Sequence, residues 1–388
     1  LSDAFATLLD RSQVMKVFAK ALERILEKAD IKVNGNRPWD IRLRDLNYFN
    51  RLESYDTLKI GNGYLRGDWE CDALDVMVSK LLQSGELDAY RSNKQNLWYW
   101  CLSRLFSPYS EQGSKRDIGF HYDIGNSFYQ QMLDPLMIYS CGYWHQAADL
   151  ADAQRKKLDL ICRKLNLKHG QMLLDIGCGW GGLLSYAAEH YGVHGTGVTL
   201  SKEQYEYARH RYAHLPINFV QADYRHILGN QTYDRIVSVG MLEHVGSNNY
   251  ELYFSIANQL LAKNGIALIH TIGRNERGSV DPWIHNYVFP NGYVPALSEL
   301  SQAIEKTDFV LEDLHNIGPH YDRTLMEWWS NIRPLWDRED MRGRTQQKRQ
   351  WQFYLQTCAG TFRARDLQVW QLLLTHKGRT QPEQARSI

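Results

Sequence analysis

The chain contains no C-x-x-C pair and no Cys/His spacing suited to a metal, and its six cysteines (Cys71, Cys101, Cys141, Cys162, Cys178 and Cys358) are scattered over 388 residues. No metal site is expected, and reduced thiols in a cytoplasmic protein are the default reading. No apolar run reaches the roughly 18 residues a membrane-spanning helix needs. The first thirty residues or so mix Asp3, Asp10, Arg11, Lys16 and Lys20 with apolar positions and lack the apolar centre of a secretory signal. An excess of one charge is also missing: a net charge of +1 gives no electrostatic drive toward nucleic acid. No internal repeat is visible. What is present, 44% hydrophobic and 12% aromatic residues, suffices for more than one core, so two domains are expected.

The segment 1–106 reads as a small helical domain. Val14, Val17, Phe18, Ala21, Leu22, Ile25 and Leu26 recur at helical spacing, and Asn34-Gly35-Asn36 with Pro38 closes that stretch. Further helices are expected over 74–82 and 97–106. Residues 107–119, polar and breaker-rich around Ser107-Pro108, read as a linker. From 120 to 388 strands and helices alternate as in a doubly wound α/β sheet, with a loose tail expected over 376–388. Strands are predicted at 172–176, 193–198, 216–220, 234–239, 265–271, 310–317 and 367–374, and helices at 201–213, 249–262 and 296–306.

The most telling stretch is Leu173-Leu174-Asp175-Ile176-Gly177-Cys178-Gly179-Trp180-Gly181-Gly182, where a buried strand breaks into a glycine turn and a helix follows. Two cofactors use such a turn. Gly177, Gly179 and Gly182 fit the dinucleotide G-x-G-x-x-G spacing, which wants an acid about 20 residues on to hold ribose hydroxyls. Here the second strand ends at Gly197-Val198-Thr199-Leu200-Ser201, with no carboxylate. Asp175, two residues before the first glycine, instead suits the D-x-G-x-G turn of S-adenosylmethionine-dependent methyltransferases, a Rossmann-like class I fold. Thr199, Ser201 and Gln204 are neutral hydrogen-bonding groups, and Ser201 with Gln204 also reads as a helix N-cap.

Ligands in such sheets bind beyond the carboxyl ends of the strands. Those ends carry Glu243 in Gly240-Met241-Leu242-Glu243-His244-Val245-Gly246, His270 in His270-Thr271-Ile272-Gly273, and a loop with His315, Gly318, His320 and Tyr321. Upstream lie His121-Tyr122-Asp123-Ile124-Gly125-Asn126 and Tyr139-Ser140-Cys141-Gly142-Tyr143-Trp144. One cleft is expected to collect them.

In order, the segments HYDIGN, YSCGYW, LLDIGCGWGG, GVTLSKEQ, GMLEHVG, HTIG, DPWIHNYVFPNG and CAGTFRARDLQVWQ resemble the motifs of the bacterial cyclopropane-fatty-acyl-phospholipid synthase family over about residues 30–375. The resemblance implies transfer of a methylene from S-adenosylmethionine to the cis double bond of a phospholipid acyl chain, with bicarbonate as the base. It implies a bicarbonate pocket of Cys141, Glu243, His270, Ile272 and Tyr321, with Cys358 beside the active site. It implies cofactor contacts at Tyr139 and Ser140, at Asp175, Gly177, Gly179, Trp180 and Gly181, at Thr199, Leu200, Ser201 and Gln204, and at Asp223 and Tyr224. Asp223 would accept from the adenine amino group. A sibling product, methyl-branched or methylene-bearing, and a non-catalytic lipid-binding module remain the alternatives.

By residue chemistry alone, aromatics such as Tyr122, Phe128, Tyr139, Tyr143, Trp144 and Tyr321 can stabilise positive charge on an acyl chain or simply pack. His270 can be a satisfied core histidine, and Cys358 a packing thiol. An acyl substrate requires contact with the bilayer, and the first helix pairs its apolar stripe with Lys16, Lys20, Arg24 and Lys28, near interfacial Trp98-Tyr99-Trp100. An ordinary solvated helix face fits equally, because Glu23 and Glu27 interrupt the stripe. The resemblance further implies a homodimer, peripherally bound to the inner leaflet of the membrane.

Overall fold

A computed structural model of the chain describes residues 22–46, 48–49, 57–86, 125–227, 231–290, 292–341 and 343–383. The helix expected over 97–106, the linker 107–119, Lys16, Lys20, Trp98 to Trp100 and Tyr122 lie outside the described residues.

The later part of the chain forms a seven-stranded mixed sheet. Its strands are β3 (Met172–Ile176), β4 (His194–Thr199), β5 (Ile217–Gln221), β6 (Tyr233–Val239), β7 (Leu261–Arg274), β8 (Phe309–Asn316) and β9 (Leu367–His376), ordered β5-β4-β3-β6-β7-β9-β8. The first five are parallel, and β9 inserts antiparallel between β7 and β8. Each predicted strand appears within two residues of its expected limits, except β7. It starts four residues early and ends three late, running over Leu261–Arg274 with a register shift against β6 near its start, so it takes up the end of the helix expected over 249–262.

Alternate residues of each strand feed opposite faces. Leu173, Val237 and Leu268 pack with Leu158 and Ile161 of α4 (Leu150–Lys164) and Leu184 of α5 (Gly182–Tyr191). Leu174, Ile236 and Ala267 pack with Tyr253 and Phe254 of α7 (Tyr250–Leu260) and Leu300 of α9 (Leu297–Ile304). The helix after β4 is α6 (Lys202–Arg211). The chain order reverses between β3 and β6, so the carboxyl ends of these two neighbours open a crevice, the usual ligand position in such sheets.

A third, aromatic cluster adjoins that crevice. Phe128 and Tyr129 of α3 (Asn126–Met132), Trp144, Trp283 of α8 (Pro282–Tyr287), Tyr321 and Trp328 of α10 (Pro319–Ile332), and Trp351 and Tyr354 of α11 (Thr345–Arg363) belong to it. Tyr321, expected in a loop, stands in the first turn of α10, where Pro319 fits because a helix start has no use for its missing N–H. His315 lies within β8 rather than in that loop.

The N-terminal elements are residues 22–28, helical, then β1 (Arg42–Leu43), α1 (Thr57–Arg66), β2 (Trp69–Glu70) and α2 (Leu74–Gln83). They share a core of Leu22, Leu26, Ile31, Tyr48, Tyr64, Trp69, Leu74 and Met77. Helix α11 carries this unit against the sheet's aromatic side. Gln356 Oε1 accepts from the Leu74 N–H at 3.2 Å, Arg349 donates to the Trp69 carbonyl at 3.1 Å, and Arg363 joins Asp75 at 2.7 Å to Asp322 at 2.8 Å. A Cβ on Gly360 would meet the Asp75 carbonyl at 2.6 Å, so glycine is what allows α11 and α2 to touch. Lys28, expected on a basic face, is paired with Glu86. Past β9 the Lys377 N–H donates to the Asp308 carbonyl at 2.9 Å and Gln381 to Glu312 at 3.0 Å, which ties down part of the stretch expected as tail.

Candidate active site

Strand β3 delivers the chain to the crevice and glycine turns it. Gly177, Gly179 and Gly181 have φ of 86°, 54° and 85°, a region closed to most side chains. A Cβ on Gly177 would also lie 2.6 Å from Met241 Cγ. The N–H groups of Gly177 and Cys178 both donate to the Val198 carbonyl at 2.9 Å, which fixes the turn to β4.

A cavity lies over this turn. Eleven of the thirteen predicted cofactor residues line it: Tyr139, Ser140, Asp175, Gly177, Gly179, Trp180, Thr199, Leu200, Gln204, Asp223 and Tyr224. The other two, Gly181 and Ser201, stand behind the wall as the N-caps of α5 and α6. Ser201 Oγ accepts from the Gln204 N–H at 3.3 Å, while Gln204 Oε1 accepts the Thr199 hydroxyl at 2.8 Å, so cap and cavity wall are one network. Trp180 Nε1 donates to Asn126 Oδ1 at 2.8 Å, joining the wall to α3. Asp223 reaches the cavity with both oxygens already engaged by Arg225, at 2.8 and 2.6 Å, and stays ionised, its carboxyl lowered despite burial by those bonds. Any adenine amino group would meet its remaining lone pairs.

The cavity suits S-adenosylmethionine. Its turn leaves space that a Cβ would fill, and the buried Asp175 has Oδ1 with no hydrogen-bond partner. Burial pushes the Asp175 carboxyl up to about 7, opposed by the charge of Lys157.

None of the six residues expected in catalysis lines this cavity. Glu243 sits buried in a 3₁₀ turn after β6, its Oε1 accepting the Ile272 N–H at 2.6 Å while Oε2 has no partner. Burial raises it to about 7 against the pull of the Ile272 bond. His270, expected near the end of its strand, is instead inside β7, directly across from Gln371 of β9. The Gln371 amide nitrogen is 3.3 Å from His270 Nδ1. With that amide donating, the ring proton sits on Nε2. Burial, then the charges of Lys157 and Lys164, hold His270 far below the usual histidine range, hence neutral.

Cys141, Tyr321, Ile272 and Cys358 gather at the aromatic cluster. Tyr321 packs on Phe362 at 4.7 Å and on Trp328 at 5.8 Å between ring centres. Tyr139, on the cavity wall, bonds Tyr354 of the cluster hydroxyl to hydroxyl at 3.1 Å. Cavity and cluster thus share a wall, and the Glu243–Ile272 bond reaches from the turn after β6 to that cluster. Burial raises both thiols, Cys358 to about 12, so neither is a thiolate near neutral pH.

Among the lining residues the sequence analysis did not assign to the cofactor are Lys157, Met241 and His244, the last two quoted there only as part of the segment that carries Glu243. His244 is held neutral by burial, at about 4. Gln371, which orients His270, was also missed, although it closes the last quoted motif. Lys157 left a trace in sequence: it interrupts the buried face of α4 four residues from both Ala153 and Ile161.

A glycine turn at the topological switch of this sheet, walled by neutral hydrogen-bonding groups from the next strand, defines a class I S-adenosylmethionine-dependent methyltransferase. The description of one family, mycolic acid cyclopropane synthetase, matches residues 109–372, and the chain belongs to that family. It is 43% identical over 352 residues to the cyclopropane-fatty-acyl-phospholipid synthase of Escherichia coli K12, covering 90% of this chain and 91% of that one. A probable fatty acid methyltransferase of Pseudomonas putida is 37% identical over 66% of this chain and 68% of its own length. Among solved structures, the cyclopropane synthase MmaA2 of Mycobacterium tuberculosis superimposes with a TM-score of 0.62 at 31% identity, over 67% of this chain and 97% of that one. The mycolic acid cyclopropane synthase CmaA1, complexed with SAH and CTAB, gives 0.60 at 30% identity over 67% and 97% of the two chains.

Proposed function

We propose that this enzyme converts the cis double bond of an unsaturated phospholipid acyl chain to a cyclopropane at the membrane surface, using S-adenosylmethionine as methylene source and bicarbonate as base. The observation that carries this reading is the buried, half-satisfied Glu243 carboxylate, bonded to the N–H of Ile272, a residue packed on the aromatic cluster that adjoins the cofactor cavity. Identity of 43% with a named cyclopropane-fatty-acyl-phospholipid synthase over nine-tenths of the chain supports the substrate class.

S-adenosylmethionine supplies an electrophilic sulfonium methyl; an alkene is a weak nucleophile, so holding the two in line provides much of the rate. The glycine turn and the Thr199–Gln204 network would hold the donor, and the wall shared by Tyr139 and Tyr354 would bring the acyl chain against it. Forming the new carbon–carbon bond breaks the carbon–sulfur bond and leaves positive charge on the acyl chain. Phe128, Tyr139, Tyr143, Trp144 and Tyr321 are grouped where aromatic faces can stabilise that charge and exclude water.

Ring closure requires one proton to leave the transferred methyl while its C–H pair becomes the last ring bond. Bicarbonate would take that proton. Glu243 Oε2, which has no partner of its own, would accept the bicarbonate hydroxyl. His270 would donate to it from Nε2 and Tyr321 from its hydroxyl, and the backbone near Cys141 and Ile272 would complete the pocket. The N-terminal unit, anchored through α11, is the part proposed to meet the bilayer.

Lipids from a bacterial host expressing the chain should gain one CH2 for each alkene lost and show high-field ring hydrogens by proton NMR. Methyl or methylene signals without ring hydrogens would overturn the ring-forming reading.

A further inference from the structure

The 3₁₀ turn Leu242–His244 after β6 sends neighbouring side chains to different places. Glu243 turns to the Ile272 N–H of β7 and stays off the cofactor cavity, whereas His244 lines it. The His244 ring is deep in the protein yet part-exposed, so the surface it shows is cavity surface. Among the described residues neither ring nitrogen has a hydrogen-bond partner.

On its other side His244 meets the aromatic cluster. Its ring stands edge to face with Phe289 at 5.9 Å between centres, and Phe289 stands edge to face with Tyr354 at 5.9 Å. Tyr354 bonds Tyr139 hydroxyl to hydroxyl at 3.1 Å, and Tyr139 is again cavity wall. His244, Phe289, Tyr354 and Tyr139 therefore form an arc that begins and ends on the cavity and passes through the cluster. With the acyl chain in the cluster, the reading on which this rests, a methyl leaving a donor in the cavity has to cross that arc. The reacting sulfur then lies against it, and the adenosine is left for the Asp223 and Tyr224 end.

We infer that His244 seats the sulfonium at this arc: its neutral ring, with a nitrogen lone pair unspent, attracts the positive sulfur of S-adenosylmethionine and gives nothing to the uncharged sulfur of S-adenosylhomocysteine. A charged histidine would repel the donor. Burial prevents that charge by lowering the ring to about 4. On methyl transfer the sulfur keeps the electron pair of the broken carbon–sulfur bond and becomes neutral, while the positive charge passes to the acyl chain. The spent cofactor thus loses a contact that the loaded one had. A ring that served only to pack on Phe289 would treat the two alike.

Calorimetry with the full chain and no lipid would measure both ligands on native protein, His244→Leu and His244→Gln. His244→Leu should weaken S-adenosylmethionine by roughly 3- to 30-fold, the range of a desolvated cation contact, and leave S-adenosylhomocysteine within about twofold. His244→Gln, which restores a neutral acceptor, should recover part of the difference. Equal weakening of both ligands would make the ring structural and overturn the inference, as would no weakening of either. Should His244→Leu fail to fold, His244→Asn withdraws the polar group from the sulfur and should lower the preference several-fold; an unchanged preference would overturn the inference. Failure to form a ring on lipid would strike the reaction proposed above and leave this ligand preference to be decided by the binding data.

Discussion

At the scale of single residues, Glu243 carries a conflict between stability and chemistry. Its carboxyl is raised by burial from 4.5 to about 7. Below about 4.5 it is neutral in folded and unfolded chains alike. Between 4.5 and about 7 only the unfolded chain ionises, so stability falls as pH rises, and the deficit is complete above about 7, at about 3 kcal/mol. Glu243→Gln keeps an acceptor for the Ile272 N–H and removes the buried charge. At pH 8 it should therefore raise Tm while lowering turnover by roughly 100-fold or more. Native turnover should climb through pH 7 as the carboxylate forms. Cys358 is the contrasting residue: burial raises its thiol and it packs against aromatic side chains, so we propose for it no covalent role. Cys358→Ser should keep turnover on well-bound vesicles within about twofold and lower stability by about 1 kcal/mol, read by denaturant titration. A loss of turnover at full cofactor affinity would return Cys358 to the catalytic list.

At the scale of elements, the β3–α5 turn makes the cofactor end. Gly177→Ala adds a Cβ at φ 86° and 2.6 Å from Met241, and should abolish measurable S-adenosylhomocysteine binding in calorimetry while the protein remains folded by circular dichroism. This turn was legible in the sequence because conformational demand leaves a compositional mark: glycine is the residue that takes φ of 85–86°, as at Gly177 and Gly181, without strain. The strands were legible for a similar reason, as short apolar runs bounded by turn residues. Helices α10 and α11 were not predicted as helices, although together they supply Tyr321, Tyr354 and Cys358. The buried residues of α10, Tyr321, Thr324, Leu325, Trp328, Trp329 and Ile332, do follow helical spacing, so that stripe was legible and went unread, whereas Gln356 and Gly360 interrupt the buried face of α11. Nor does strand periodicity reveal which residue lies across the ladder, so the His270–Gln371 pairing waited for the antiparallel register of β9. Lys157 was hidden because a cation inside a helix normally marks a solvated face. Here it marks the opposite.

At the scale of the whole molecule, the cofactor cavity and the aromatic cluster are two compartments with one wall, made by the chain from Tyr139 to Cys141 and by α11. Helix α11 also holds the N-terminal unit, so a single helix links the part proposed to touch the bilayer with the part proposed to meet the acyl chain. Among the described residues no helix is long and apolar enough to cross a membrane. The most direct test of the central claim is incubation of purified protein with vesicles of unsaturated phospholipid and S-adenosylmethionine under controlled bicarbonate, with cyclopropane hydrogens followed by proton NMR. The account predicts ring formation that rises with bicarbonate and saturates; ring formation at full rate in bicarbonate-free buffer, or methyl transfer without a ring, would contradict it.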